Sequence, residues 1–256
     1  MRCSSHFLPK FDNLDSTGES PRLTADPALA GGVAKCLAIS KKHSGHLVMC
    51  PPFYSKNGSA NAFSRMGEII LRAHFKAAWP DGEAQFDAWW IHAEAHALCY
   101  CFECVVPRLL GDHGATPKAA YMVLTCVTHT GGGGILSPAQ LLALAAAWRL
   151  PLNEVWYVRW EEAGAVEDSL HEKRWTIGDE EADRELERRG TYQGFLSHSL
   201  TQGPVLEGFV LMALDTSPHE LAPLLAAYEA AVAPVREACL AAYLGLAAAC
   251  HAQESW

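Results

Sequence analysis

The sequence lacks the signatures of several large enzyme classes. It has no GxxxxGK[ST], so the phosphate cradle of P-loop kinases and ATPases is absent, and no GxGxxG follows an apolar run. HExxH and GxSxG are missing too, which removes the zinc-protease helix and the serine nucleophile elbow. None of the twelve histidines stands in an HxT or HxS pair, so a paired-histidine phosphoesterase is excluded. The opening "MRCSSHFLPKFDN" carries no apolar signal core, and the Ala/Leu-rich C-terminal stretch is broken by Glu229, Pro234, Arg236 and Glu237. The expectation is an intracellular protein, cytoplasmic or nuclear, without a membrane span.

Nine cysteines cannot all pair within one chain, and with no export signal they are read as reduced thiols. Cys101 and Cys104 form a CxxC, but no second one accompanies it, and a structural zinc site needs four ligands. The surrounding "HALCYCFECVVP" has strand composition, which puts Cys101 and Cys104 on opposite faces. Buried free thiols are therefore expected. The formal charge of −9 argues against nucleic acid at first sight, yet eleven acidic and three basic side chains fall within residues 161–187 alone. The rest of the chain is near neutral, which leaves room for a local basic groove.

What is present reads as mixed elements. Residues 36–40, 46–50, 97–106, 120–128, 154–160 and 205–214 have strand character, rich in Val, Tyr and Cys. Residues 61–78 read as a helix with Phe63, Met66, Ile69, Ile70 and Ala73 on one face. Ser137-Pro138-Ala139-Gln140 opens a helix that Pro151 stops, and Ser217-Pro218-His219-Glu220 opens another that Pro234 breaks. An acidic helix over 179–189 ends at Gly190 and should lie away from any RNA-binding cleft. Strands and helices do not alternate regularly, so the fold class is α+β with largely antiparallel sheets flanked by helices. The division expected is a domain over 1–214 and an alanine-rich helical region over 215–256. The stripe Leu221, Leu224, Leu225, Tyr228 and Val232 in the latter is read as packing on its own domain, with a partner surface as the alternative.

The chemistry centres on "LAISKKHSGHLVM", residues 37–49. Lys42-His43-Ser44-Gly45 is a KxxG, and with eight lysines and twenty glycines composition alone gives roughly 0.6 of them, so context decides. Three pieces follow in order: Ser55-Lys56, Phe102-Glu103 within a strand, and Glu207-Gly208-Phe209-Val210 at the start of another. Together they resemble the covalent nucleotidyltransferase superfamily, in particular RNA ligases of the phage and fungal tRNA-ligase type. Lys10 to Asn13 resembles that family's segment upstream of the nucleophile, and "LPLNEVWYV" its helix-to-strand junction.

The resemblance implies an ATP-dependent RNA ligase. Lys42 is the nucleophile, Gly45 completes its motif, and Lys56 is a second catalytic cation. Phe102, Glu103 and Glu207 bind nucleotide, Glu103 and Glu207 with Mg²⁺. Phe102 and Glu103 alternate along a strand, so which one meets the base stays open. The partner implied is RNA, as tRNA halves or broken strands.

The residue types suit the reaction. A protonated amine cannot attack a phosphate, so cations, a metal ion and partial desolvation must lower its affinity for the proton. Two departures stand against the pattern. No lysine follows Lys173, where the family has a lysine pair after the EGxV strand, and His6 stands where an arginine is usual. The competing expectation is therefore a pseudo-ligase or fragment that binds nucleotide or RNA without turnover.

Overall fold

The computed structural model describes residues 22–55, 58, 61–106, 119–130, 134–171, 180–195 and 206–252. Two four-stranded antiparallel sheets form the frame. Sheet A has the order β7 (Gly190–Gln193), β6 (Val155–Arg159), β1 (Cys36–His43), β8 (Leu206–Leu214). Sheet B has the order β3 (Tyr54–Ser55), β2 (His46–Cys50), β4 (Leu98–Val105), β5 (Tyr121–His129). The class is α+β, as expected. The chain leaves sheet A after His43 and enters sheet B at His46, so Ser44 and Gly45 join the two sheets.

After the one-turn helix α1 (Pro27–Ala30), longer helices cover both sheets. The helix α2 (Ala62–Ala78) starts at Asn61, whose side chain accepts from the N–H groups of Phe63 and Ser64. Its buried face is Ser64, Gly67, Ile70, Leu71, His74, Phe75 and Ala78, while Ile69 is exposed. The periodicity predicted a stripe turned toward Phe63 and Ile69. The close approach at Gly67 sets the difference: a Cβ there would lie 2.7 Å from Val48 Cγ1, so the helix presents its glycine to β2 and carries Ile69 outward. A helix absent from the sequence reading, α3 (Gly82–Ala95), buries Phe86, Trp89 and Ala93 against the same core.

The helices α4 (Pro138–Trp148) and α7 (Pro218–Val232) both begin with the predicted capping box, Ser137 with Gln140 and Ser217 with Glu220. The final helix α8 (Arg236–Ala252) follows a short turn at Ala233–Val235. Leu221, Leu225, Tyr228 and Val232 of α7, with Cys239, Leu240 and Tyr243 of α8, join the core that holds Tyr100, Phe102 and Phe75. The α7 stripe is thus an internal face, not a partner surface.

The other side of sheet A is closed by α5 (Trp160–His171) and α6 (Glu180–Arg189), around Leu37, Ile39, Trp156, Val158, Ala163, Val166 and Leu186. Among the described residues seven cysteines are free and buried. Cys101 and Cys104 fall in different clusters, on the two faces of β4. Among the described residues no helix is long and apolar enough to cross a membrane.

Candidate functional site

The site is built at the junction of the sheets. Lys42 is the penultimate residue of β1 and lies opposite Gly208 of β8, where the ladder then slips between Lys42 and His43. A Cβ on Gly208 would meet nothing within 4 Å, so the missing side chain leaves open space beside Lys42. On this face of sheet A, Ser40 stands opposite Val210 and Ala38 opposite Met212. Val210 is half-buried and Met212 is 54% exposed, so an apolar strip runs along the edge strand away from Lys42. Lys42 itself is partly exposed.

Gly45 is fixed by crowding. A Cβ at this position would sit 2.6 Å from the Cys104 carbonyl oxygen and 3.0 Å from Val105 Cγ2. The connection therefore presses directly on β4. In register, His46 pairs with Cys104 and Leu47 with Glu103, which brings Glu103 to the end of sheet B where the chain enters from Lys42. Glu103 is partly exposed. Phe102, its neighbour, is fully buried in the core beneath the helices, on the other face of β4. Glu207 lies in β8 next to Gly208, so its backbone adjoins the Lys42 pair; its side chain lies outside the described residues. Lys56 lies outside them too. The fold thus brings Lys42, Gly45, Glu103 and the Glu207 backbone to one end of the two sheets.

The neighbours of Lys42 in the chain are both buried. Lys41 pairs with Glu154 at 3.4 Å and stands 5.2 Å from the centroid of the Trp156 ring. Glu154 also accepts from the Tyr192 hydroxyl at 2.5 Å. This cluster lies on the α5–α6 face of sheet A, opposite to Lys42 by strand alternation. The acidic helix therefore covers the side of the sheet away from Lys42, as expected from its charge. His43, to which the sequence assigned no role, has Nδ1 2.9 Å from the Tyr121 hydroxyl and Nε2 3.1 Å from Asn153 Oδ1. Burial, first, and the nearby Lys41 push its pKa down to about 4, against a raising contribution from the Asn153 hydrogen bond. It is neutral at pH 7. Only its place inside KxxG could have singled it out from sequence.

Arg236 bears on the missing lysine pair. It donates to Glu229 at 2.7 and 3.0 Å and to the Gly194 carbonyl at 3.3 Å, so it is engaged at the start of α8. Among the described residues, no group of three or more His, Cys, Asp or Glu side chains is placed to hold a metal ion.

No protein-family model matches the chain. Over 160 residues it is 34% identical to tRNA ligase 1 of Arabidopsis thaliana. The match takes in 59% of this chain and only 14% of that protein's length.

Proposed function

We propose that the chain is an ATP-dependent RNA ligase module in which Lys42 is the nucleophile. The observation that carries this reading is the placement of Lys42 opposite Gly208, beside open space, with the Gly45 turn packed on the strand that bears Glu103. The similarity to a tRNA ligase supports it.

In the first step the unprotonated Nζ of Lys42 gives its electron pair to the α-phosphorus of ATP. A P–N bond forms, the P–O bond to pyrophosphate breaks with its electrons on oxygen, and the amine proton passes to solvent. An RNA 5′-phosphate oxygen then attacks the same phosphorus, the P–N bond breaks with its electrons on nitrogen, and a proton taken from solvent restores the amine. An RNA 3′-hydroxyl finally attacks the activated 5′-phosphate, loses its proton and expels AMP.

Glu103 and Glu207 are the residues that would hold Mg²⁺. One or two carboxylates completed by substrate phosphates and water is the donor set this ion favours, so a dedicated protein cage is not required. When bound, the ion neutralises charge on the phosphates. The apolar strip of Val210 and Met212 offers a surface for the nucleoside. Lys56 keeps the role of second cation that the resemblance gives it. Phe102, expected from the resemblance to contact the nucleotide, is fully buried in the core, so its contribution on this reading is packing and not contact with nucleotide.

The test is transfer of radiolabel from α-labelled ATP to the protein in the presence of Mg²⁺. The expected result is a covalent label that Lys42→Ala abolishes. An equal label on Lys42→Ala overturns the assignment. The second reading, a pseudo-ligase that binds ATP or RNA without turnover, is favoured by the absence of lysine after Lys173 and by the engagement of Arg236 with Glu229. It predicts nucleotide or RNA binding with no covalent label.

A further inference from the structure

Both residues that flank Lys42 are tied to one side chain. Asn153 Nδ2 donates to the Lys41 carbonyl at 2.8 Å, and Asn153 Oδ1 lies 3.1 Å from His43 Nε2. The amide cannot be turned round, because the same Oδ1 accepts from the Glu154 N–H at 2.8 Å. His43 must then carry its proton on Nε2 and donate it to Asn153, while Nδ1 accepts from the Tyr121 hydroxyl at 2.9 Å. Each donor in this chain meets an acceptor.

Asn153 is itself held by sheet B. Its backbone N–H donates to the Leu124 carbonyl at 3.0 Å, and Leu124 N–H donates to Pro151 O at 2.7 Å. Tyr228 of α7 donates to Leu150 O and accepts from Leu152 N–H, at 2.9 and 3.1 Å. Asn153 and His43 are 8% and 4% exposed, so water does not compete for these bonds. The β1–β6 register ends at Ser40 and Val155, with one further backbone bond from the Lys41 N–H to the Glu154 carbonyl at 3.0 Å, and the ladder to β8 slips after Lys42 before pairing His43 with Leu206. Side chains thus reinforce the backbone where its ladders become irregular.

We infer that Asn153 and His43 are positioning residues for Lys42: they hold the Lys41 carbonyl on one side of it and the His43 side chain on the other, and so fix the direction of its side chain at the sheet junction. This rests on the reading of Lys42 as the nucleophile. It adds two residues that act through the backbone and touch neither nucleotide nor RNA. Misplacement of a reacting group by about 1 Å costs on the order of a hundredfold in rate, so a clamp one residue away has leverage on the attack.

The experiment measures single-turnover self-adenylylation at saturating ATP, ATP affinity and amide hydrogen exchange on the full chain. Asn153→Ala, Asn153→Asp and His43→Ala are expected to react about tenfold or more slowly with ATP affinity nearly unchanged. His43→Gln keeps a donor at the Nε2 position and is expected to recover most of the rate. Leu225→Ala, a core change in α7, controls for stability and should leave the rate of the folded protein intact. Exchange across residues 41–43 should rise in Asn153→Ala.

A wild-type rate in Asn153→Ala overturns the inference, as does an equal slowing in Leu225→Ala. If the unsubstituted chain takes no label, it is the proposed function that falls. The exchange measurement then decides the clamp, and unchanged exchange at 41–43 overturns it.

Discussion

Lys42 of β1 and Gly208 of β8 face each other at the last regular pair of their ladder. Each belongs to a motif read from the sequence, KxxG and EGxV, and the two lie far apart along the chain. Their pairing gives the motifs a common location. The glycine leaves the space beside Lys42 open, which on the proposed reading is where the nucleotide would enter.

The turn after Lys42 should tolerate no side chain. Gly45→Ala places a methyl 2.6 Å from the backbone oxygen of Cys104, on a strand held on both sides by β2 and β5. Neither neighbour can retreat without breaking a ladder. The expected loss is about 1–3 kcal/mol, the usual range for overpacking. It would be read as a lower urea midpoint, and an unchanged midpoint would show that the turn can move away from β4.

The buried pair beneath the site should respond unequally to single and double substitution. The side chains of Lys41 and Glu154 are 6% and 1% exposed, and one oxygen of Glu154 has no hydrogen-bond partner. Lys41→Met leaves a buried carboxylate without its cation, a loss of about 3–5 kcal/mol. The double variant Lys41→Met/Glu154→Leu removes both charges and is expected to be more stable than either single one. Urea unfolding of the four proteins in a double-mutant cycle measures the coupling, and additive losses would rule it out.

Stability should fall as the solution is acidified from pH 6.5, before most carboxylates titrate. His74 is fully buried, with Nδ1 accepting from Tyr243 and Nε2 donating to the Arg149 carbonyl, each at 2.7 Å. Burial pushes its pKa down to about 4, partly offset by the Arg149 hydrogen bond. In the unfolded chain it titrates near 6.5. Between these values the unfolded state binds the proton and the folded state does not. The contribution is complete above about pH 6.5 and is lost as the pH falls toward 4. It amounts to up to about 1.4 kcal/mol per pH unit. His74→Gln keeps a donor for Arg149 but does not titrate, so unfolding titrations between pH 5 and 6.5 should show a shallower slope. An identical slope would place the proton sensitivity elsewhere, His43 being the other buried histidine of this kind.

Much of the frame was legible because local signals agreed. The strands at 36–43, 46–50, 98–105 and 121–129 are apolar runs with turn residues at their ends. The starts of α4 and α7 were set by Ser, Pro and an acid or amide three residues on. The helix α3 was not legible. Its "GEAQFDAWWIHAEA" has apolar residues on several faces, and Ile91 is 65% exposed while Trp89 is buried. The helix α5 is masked by its acids, and the sequence reading ran the preceding strand on to Trp160, which begins the helix.

At the site, Lys42, Gly45, Glu103 and Glu207 could be nominated because their order and spacing resemble the motifs of RNA ligases. His43 lies inside the KxxG and Asn153 inside "LPLNEVWYV", but neither positioning role could be read there. Nothing in an isolated histidine or asparagine says that it will be buried with every polar atom matched; that depends on β5 and the segment before β6 arriving at the same place.

The amino-acid sequence by itself determined the α+β class, most strand and helix positions, the reduced thiols and the candidate nucleophile, because period, caps and motif spacing act over a few residues. Only the tertiary structure decided which face of α2 is buried, that α7 packs inward, and that Lys42 meets Gly208 while Asn153 grips both of its neighbours. Those outcomes are contacts between segments distant along the chain, fixed by steric fit and by the need to satisfy buried polar groups, and neither can be evaluated until the segments meet.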